Sequence, residues 1–120
     1  MNSEEFQKML KKDNVITGDF DFRDESISVM MDRDFIGTKF VNCKIVGGDF
    51  ASGIFVNCLF ENCIISDGAM VGVGFTNCYF VDCKFERMQC DFSIKNCRTD
   101  GLSISSLSGK DFWEEEQKKA

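Results

Sequence analysis

The residues with the richest potential chemistry in this sequence of 120 are seven cysteines, at positions 43, 58, 63, 78, 83, 90 and 97. A thiol can ligate a metal, pair in a disulfide or act as a nucleophile. A zinc or iron–sulfur site needs closely spaced ligands such as C-x₂-C. Here Cys58 and Cys63, like Cys78 and Cys83, are separated by four residues, and the chain contains no histidine to help. Nucleophilic catalysis needs an activating base, and there is neither histidine nor a G-x-S-x-G elbow. Carboxylate pairs such as Asp32 and Asp34 are more simply solvated surface charges. Glycine offers no phosphate cradle either, because Gly72-Val73-Gly74 has no third glycine and no G-x-x-x-x-G-K-[ST] occurs. The cysteines are therefore expected to be small, polarizable apolar fillers. No catalytic residue, metal or cofactor is assigned, and the chain is not expected to be an enzyme.

What positions these residues is a second, stronger pattern. Phe or a bulky apolar residue returns every fifth position, at Phe35, Phe40, Ile45, Phe50, Phe55, Phe60, Ile65, Met70, Phe75, Phe80 and Phe85. Five steps rotate a helix by about 140° and carry a strand side chain to the opposite face, so neither element alone keeps this stripe inside. A chain that turns a corner once per repeat does. The number of corners follows from a longer period: Cys43, Cys63 and Cys83 recur at a lag of twenty, as do Cys58 and Cys78, Gly48 and Gly68, and Ile45 and Ile65. A lag of fifteen loses the glycine match, so the coil has four sides. One later coil is a residue short, since Asn77-Cys78 is answered by Asn96-Cys97, which places a bulge or slip near Cys90 and Phe92.

These repeats resemble the pentapeptide-repeat family, with a large apolar residue at each centre and a small one two positions earlier. Cys43-Lys44-Ile45, Cys58-Leu59-Phe60, Cys63-Ile64-Ile65, Cys78-Tyr79-Phe80 and Cys83-Lys84-Phe85 carry the match. Where the family usually has Asp or Asn before the centre, this chain has Lys44, Leu59, Ile64 or Tyr79. The resemblance implies an all-β fold, a right-handed, four-sided (quadrilateral) parallel β-helix solenoid. It covers residues 35–104 well and 15–30 loosely.

Three segments are expected: an N-terminal capping helix over 1–13, the β-helix over 14–109 with its regular core at 35–104, and a short C-terminal helix over 110–120. Asn2 or Ser3 can cap the first helix, with Phe6, Met9 and Leu10 on one face to cover the first coil. Asn42, Asn57, Asn62, Asn77 and Asn96 suit corners, because Asn tolerates left-handed backbone angles. Gly47, Gly48, Gly53, Gly68, Gly72 and Gly74 are expected to be permissive corners or close-packed inward positions. Cysteines stacked one coil apart have parallel Cα–Cβ vectors, which hold the Cβ atoms near the ~4.8 Å strand spacing rather than the ~3.8 Å of a disulfide. No secretory leader or membrane span is evident, and a cytoplasmic location is expected.

With the interior explained by packing, function must lie on outward positions. The sides centred on Phe35/Phe55/Phe75 and Phe40/Phe60/Phe80 present Ile36, Val41, Ile54, Val56, Leu59, Tyr79 and Val81, while the other two carry Lys44, Asp49, Lys84, Glu86, Gln89 and Asp91. An apolar corner opposite a polar one is a contact surface for another protein or a second copy. Phe112 and Trp113 either close the last coil or centre a dimer contact. The partner is thus a protein or, as a homodimer, this chain itself; no small-molecule substrate and no membrane are inferred. A net charge of −6 disfavours direct nucleic-acid binding. The resemblance also implies an alternative, a DNA mimic that binds a type II topoisomerase such as gyrase. From Asp32 to Asp100 nine acidic residues face seven basic ones. Over the ~20–24 Å of four to five coils, duplex DNA would carry about a dozen charges, so the density falls well short.

Overall fold

The structure, a computed structural model, describes residues 1–24 and 31–108. Its β-strands all pair in parallel at a spacing of about one coil, the signature of a β-solenoid. On the first side β2 (Asp34–Ile36), β4 (Ile54–Val56) and β7 (Ala69–Thr76) stack so that Phe35 lies over Phe55 and Phe55 over Phe75. On the second, β1 (Val15–Asp21), β3 (Lys39–Val46), β5 (Leu59–Glu61), β8 (Tyr79–Lys95) and β9 (Arg98–Ser108) align Ile16, Phe40, Phe60, Phe80 and Thr99. The third side runs through β6 (Ile64–Ser66) and stacks Phe20, Ile45, Ile65, Phe85 and Ile104. Phe50, Met70 and Cys90 line the fourth.

The five-residue period works because nearly every corner among the described residues has a left-handed residue, the shortened coil between Asp91 and Phe92 being the exception. Gly37, Asn57, Asn77 and Asn96 form one corner column; Asn42, Asn62, Asp82 and Gly101 the next; Gly47, Asp67 and Arg87 the third; Asp32, Ser52 and Gly72 the fourth, all with φ between 50° and 81°. Side chains that accept this conformation at low cost fill most of these positions. The Asn62 amide also donates to Asn42 Oδ1 at 2.9 Å, tying successive coils at the surface. Arg87 is the bulky exception, and its guanidinium donates to both Asp67 oxygens one coil earlier, at 2.7 and 2.9 Å.

Inside, the aromatic rungs stack nearly face to face along the axis. Phe40 and Phe60 centroids lie 4.6 Å apart, Phe60 and Phe80 4.8 Å, and Phe35 and Phe55 4.7 Å. Neighbouring sides meet edge to face, as for Phe75 and Phe80 at 5.3 Å and 72°. The edge-to-face contacts suit the ring quadrupole, while the parallel stacking follows from the strand spacing of the ladders.

The coil irregularities have local causes. The short coil is absorbed where Val71 pairs with Asp91 but Val73 with Phe92, so Gly72 is the residue passed over, opposite the position where the sequence suggested a slip. The first coil is longer: Phe22 donates to Val46 O and Asp32 to Ala51 O, so ten residues there answer five in the next coil. Gly74 is neither a corner nor a close approach, contrary to expectation; it sits at an outward position between Ile54 and Ser93, and a Cβ there would meet only Ser93 Oγ at 3.8 Å.

Helix α1 (Ser3–Lys12) closes the N-terminal end. Asn2 caps it, accepting from Glu5 N while the Glu5 side chain accepts from Asn2 N, a capping box. Phe6 is fully buried against Phe20 and Phe22 at 5.4 and 5.7 Å, and Met9 and Leu10 pack partly buried beside it. The C-terminal helix expected over 110–120, with Phe112 and Trp113, lies outside the described residues.

Candidate interaction surface

The cysteines come first because chemistry, if any, would centre on them. All seven are unpaired thiols, six buried and Cys97 partly so. Cys43, Cys63 and Cys83 stack in the slot two residues before the third-side centres, and Cys58, Cys78 and Cys97 in the equivalent slot of the second side. Each donates its S–H to a carbonyl of the preceding coil, Cys63 to Phe40 O and Cys83 to Phe60 O at 3.2 Å, Cys78 to Phe55 O at 3.4 Å. Thr38 heads the second stack, its hydroxyl donating to Asn14 Oδ1 at 2.8 Å. Among the described residues no cluster of three or more His, Cys, Asp or Glu is placed to hold a metal ion.

Contact between stacked thiols, with burial, makes ionisation costly. The Cys43 thiol beside it, together with burial, pushes Cys63 up to about 12; Cys58 and burial push Cys78 up to about 11. Burial alone holds Cys90 at about 11, and Cys83 and Cys97 are raised as well, by Cys63 and Cys78 respectively. Cys58 moves down, through the neighbouring Cys78 thiol. A group whose folded pKa lies above its unfolded one stabilises the fold fully below the unfolded value and loses that contribution as pH climbs toward the folded value. Stability should therefore hold up to about pH 9 and fall steeply between 9 and 12, as the unfolded thiols ionise before the folded ones. Chemical denaturation at stepped pH checks this; a flat profile across that window would refute the buried-thiol account. At neutral pH Cys97 should react with a thiol reagent before the other six.

Outward residues form ordered columns fixed by the register. On the second side one column reads Lys39, Leu59, Tyr79, Arg98 and its neighbour Val41, Glu61, Val81, Asp100. On the first side Asp34, Ile54, Gly74 and Ser93 run beside Ile36, Val56, Thr76 and Lys95. Ile36 is 63 % exposed and Ile54 46 %, whereas Val41, Val56, Leu59, Tyr79 and Val81 are half-buried. The structure thus brings Val41, Leu59, Tyr79 and Val81 onto one face and sets Ile54 and Val56 around the adjoining corner. Two corrections follow. Lys39 and Glu61 stand within the same columns, so the second side is mixed rather than purely apolar. Ile64 and Val71 are exposed on the other two sides, so the opposite corner is not purely polar.

The register also shows a cluster that the search for apolar positions missed. The Tyr79 hydroxyl donates to Asp100 Oδ2, the Arg98 guanidinium lies 4.9 Å from the Tyr79 ring centroid, and Arg98 Nη2 is 3.9 Å from the same Asp100 oxygen. The Asp100 carboxylate beside it, with desolvation, raises the Tyr79 phenol above its ordinary range. Extending the twenty-residue lag through the shortened coil, Tyr79 to Arg98 and Val81 to Asp100, was the signal available in the sequence.

Compared with known proteins, the chain matches no protein-family model and no curated protein. Among solved structures it is similar to the crystal structure of a pentapeptide repeat protein, Rfr23, from the cyanobacterium Cyanothece 51142, at 9 % identity, covering 85 % of this chain and 98 % of that one with a TM-score of 0.46. The register, corners and stacked rungs define a β-solenoid of the pentapeptide-repeat kind. No helix among the described residues is long and apolar enough to cross a membrane.

Proposed function

We propose that this solenoid is a non-enzymatic protein–protein interaction scaffold of the cytoplasm, and that a second copy of the chain is its first partner. The observation that carries the reading is the exposure of Ile36 and Ile54 at outward positions, beside the half-buried Val56 and Leu59. Outward aliphatics on a coil whose inward positions already supply the core are not needed to fill it, and beyond the strand preference of β-branched side chains they favour association. Ile54→Lys should leave the thermal midpoint nearly unchanged and weaken self-association about tenfold, the equivalent of ~1.4 kcal/mol. Sedimentation equilibrium measures this, and equal association of wild type and variant would remove the corner from the contact.

The alternative role, mimicry of duplex DNA toward a type II topoisomerase, comes from the resemblance, and the net charge of −6 is compatible with it in sign. Against it, Asp21, Asp67 and Asp100 are each paired with an arginine, Arg23, Arg87 and Arg98, which dilutes any continuous negative track. A gyrase supercoiling assay at micromolar protein should show no inhibition and no protection from gyrase poisons; clear inhibition would favour the mimic.

A further inference from the structure

The self-association reading leaves the contact geometry open, and the second side narrows it. Its two outward columns carry, coil by coil, Lys39 and Val41, Leu59 and Glu61, Tyr79 and Val81, Arg98 and Asp100. Two copies can meet on this face about a two-fold axis in the plane of contact, and only two orientations keep the columns parallel. An axis parallel to the strands reverses the order of the coils and sets Lys39 against the partner's Arg98, a like-charge contact. An axis parallel to the solenoid axis exchanges the columns instead and keeps the coils level. Arg98 then faces the partner's Asp100 and Tyr79 the partner's Val81, while Lys39 stands one coil, ~4.8 Å, from the level of the partner's Glu61.

We propose that a second copy docks on this side about a two-fold axis parallel to the solenoid axis, with the Tyr79–Arg98–Asp100 cluster as its anchor. The proposal rests on the self-association reading above. Tyr and Arg are the side chains that most often dominate such contacts. Here both are held in place before a partner arrives, Tyr79 by its hydrogen bond to Asp100 and Arg98 by its position over the ring. That order reduces the entropy lost on binding. Both contacts to Asp100 use Oδ2, leaving Oδ1 as the acceptor for the partner's guanidinium. Charges of both signs on one face explain why the occupant is a copy of the chain rather than a strongly acidic or basic protein. Four coils at ~4.8 Å make a face ~19 Å tall, smaller than a standard interface, so the dimer is weak and concentration-dependent.

Charge exchange tests the geometry. Arg98→Asp places two carboxylates opposite each other across the axis, and Asp100→Arg places two guanidinium groups there, so each variant alone should remain at the monomer mass of 13.6 kDa at concentrations where wild type associates. Mixed one to one, the two variants restore both opposite-sign contacts and should associate at least as tightly as wild type. Unchanged thermal midpoints show that each variant is folded. If wild type self-associates but the single variants do so equally, or the mixture behaves as its components, this face is wrong and the self-association reading survives with another contact. If wild type stays monomeric to millimolar concentration, both fail.

Discussion

Phe60→Ala is expected to cost about 3–5 kcal/mol, close to the whole stability of many small domains. Phe60 is 1 % exposed in the middle of the column, with Phe40 and Phe80 stacked on its two faces at 4.6 and 4.8 Å and Phe55 and Phe75 packed from the neighbouring side at 5.6 and 6.0 Å. The rungs are held at strand spacing by the backbone ladders, so the rings above and below cannot close on the vacated space. Both the lost apolar burial and the unfilled cavity therefore count in full. Lys44→Ala, on an outward position of the third side, should change stability by less than about 0.5 kcal/mol. Denaturant titration of the two variants gives the comparison, and similar small effects at both positions would contradict the inward placement of Phe60.

Gly68→Ala is expected to be nearly as damaging, though it adds a single methyl group. A Cβ at Gly68 would sit 2.1 Å from the Gly48 carbonyl oxygen and 3.0 Å from Gly48 C and N, all backbone atoms that cannot swing aside. That same oxygen accepts the Ala69 N–H at 3.0 Å, so relieving the clash means prising two coils apart and breaking a ladder hydrogen bond. Overpacking at the upper end of the usual range, about 3 kcal/mol, is the expected loss. Gly37 is the informative contrast: it lies in the left-handed region at φ 65°, has no atom within 4 Å of an added Cβ, and heads a corner column continued by Asn57, Asn77 and Asn96. Gly37→Asn should accordingly be almost neutral. If thermal midpoints rank Gly37→Asn below Gly68→Ala, the close approach of the coils at Gly48 and Gly68 is refuted.

The contrast between these glycines also explains how much was legible in the sequence. The aromatic centres and the twenty-residue lag specified the four sides and their register, since a period of five has few other solutions once every centre must be inside. Asn42, Asn57, Asn62, Asn77 and Asn96 were recognisable as corners from their backbone tolerance alone. What one position at a time could not reveal was compensation between neighbours. On the fourth side the Phe50 ring fills the space that Gly48 leaves, a Cβ there meeting the ring at 2.7 Å, whereas two coils later Met88 occupies the slot before the centre and Cys90 the centre itself. Volume is conserved although the pattern of large and small is inverted, so a template of small then large misses Met88. The outward face was harder still. Picking out Val41, Leu59, Tyr79 and Val81 as an apolar set overlooked Lys39, Glu61, Arg98 and Asp100, because their membership follows from register and not from hydropathy. Ile64 and Val71, exposed on the other sides, show the reverse error: β-branched side chains suit an extended backbone whether or not anything binds there.

The parallel pairing has one further consequence, for the order of assembly. Nearly every cross-strand partner lies 19 or 20 residues away, as Phe40 does from Phe60 and Phe80 from Thr99, and only the first coil asks for 24 or 25. Each new turn therefore closes a ring of the same modest size against a template already laid down, and no step requires distant parts of the chain to find one another. Growth of such a molecule is closer to winding thread on a spool than to the collapse of a globule. Its slowest event should be formation of the first complete winding, where the ring is longest and nothing yet exists to wind upon.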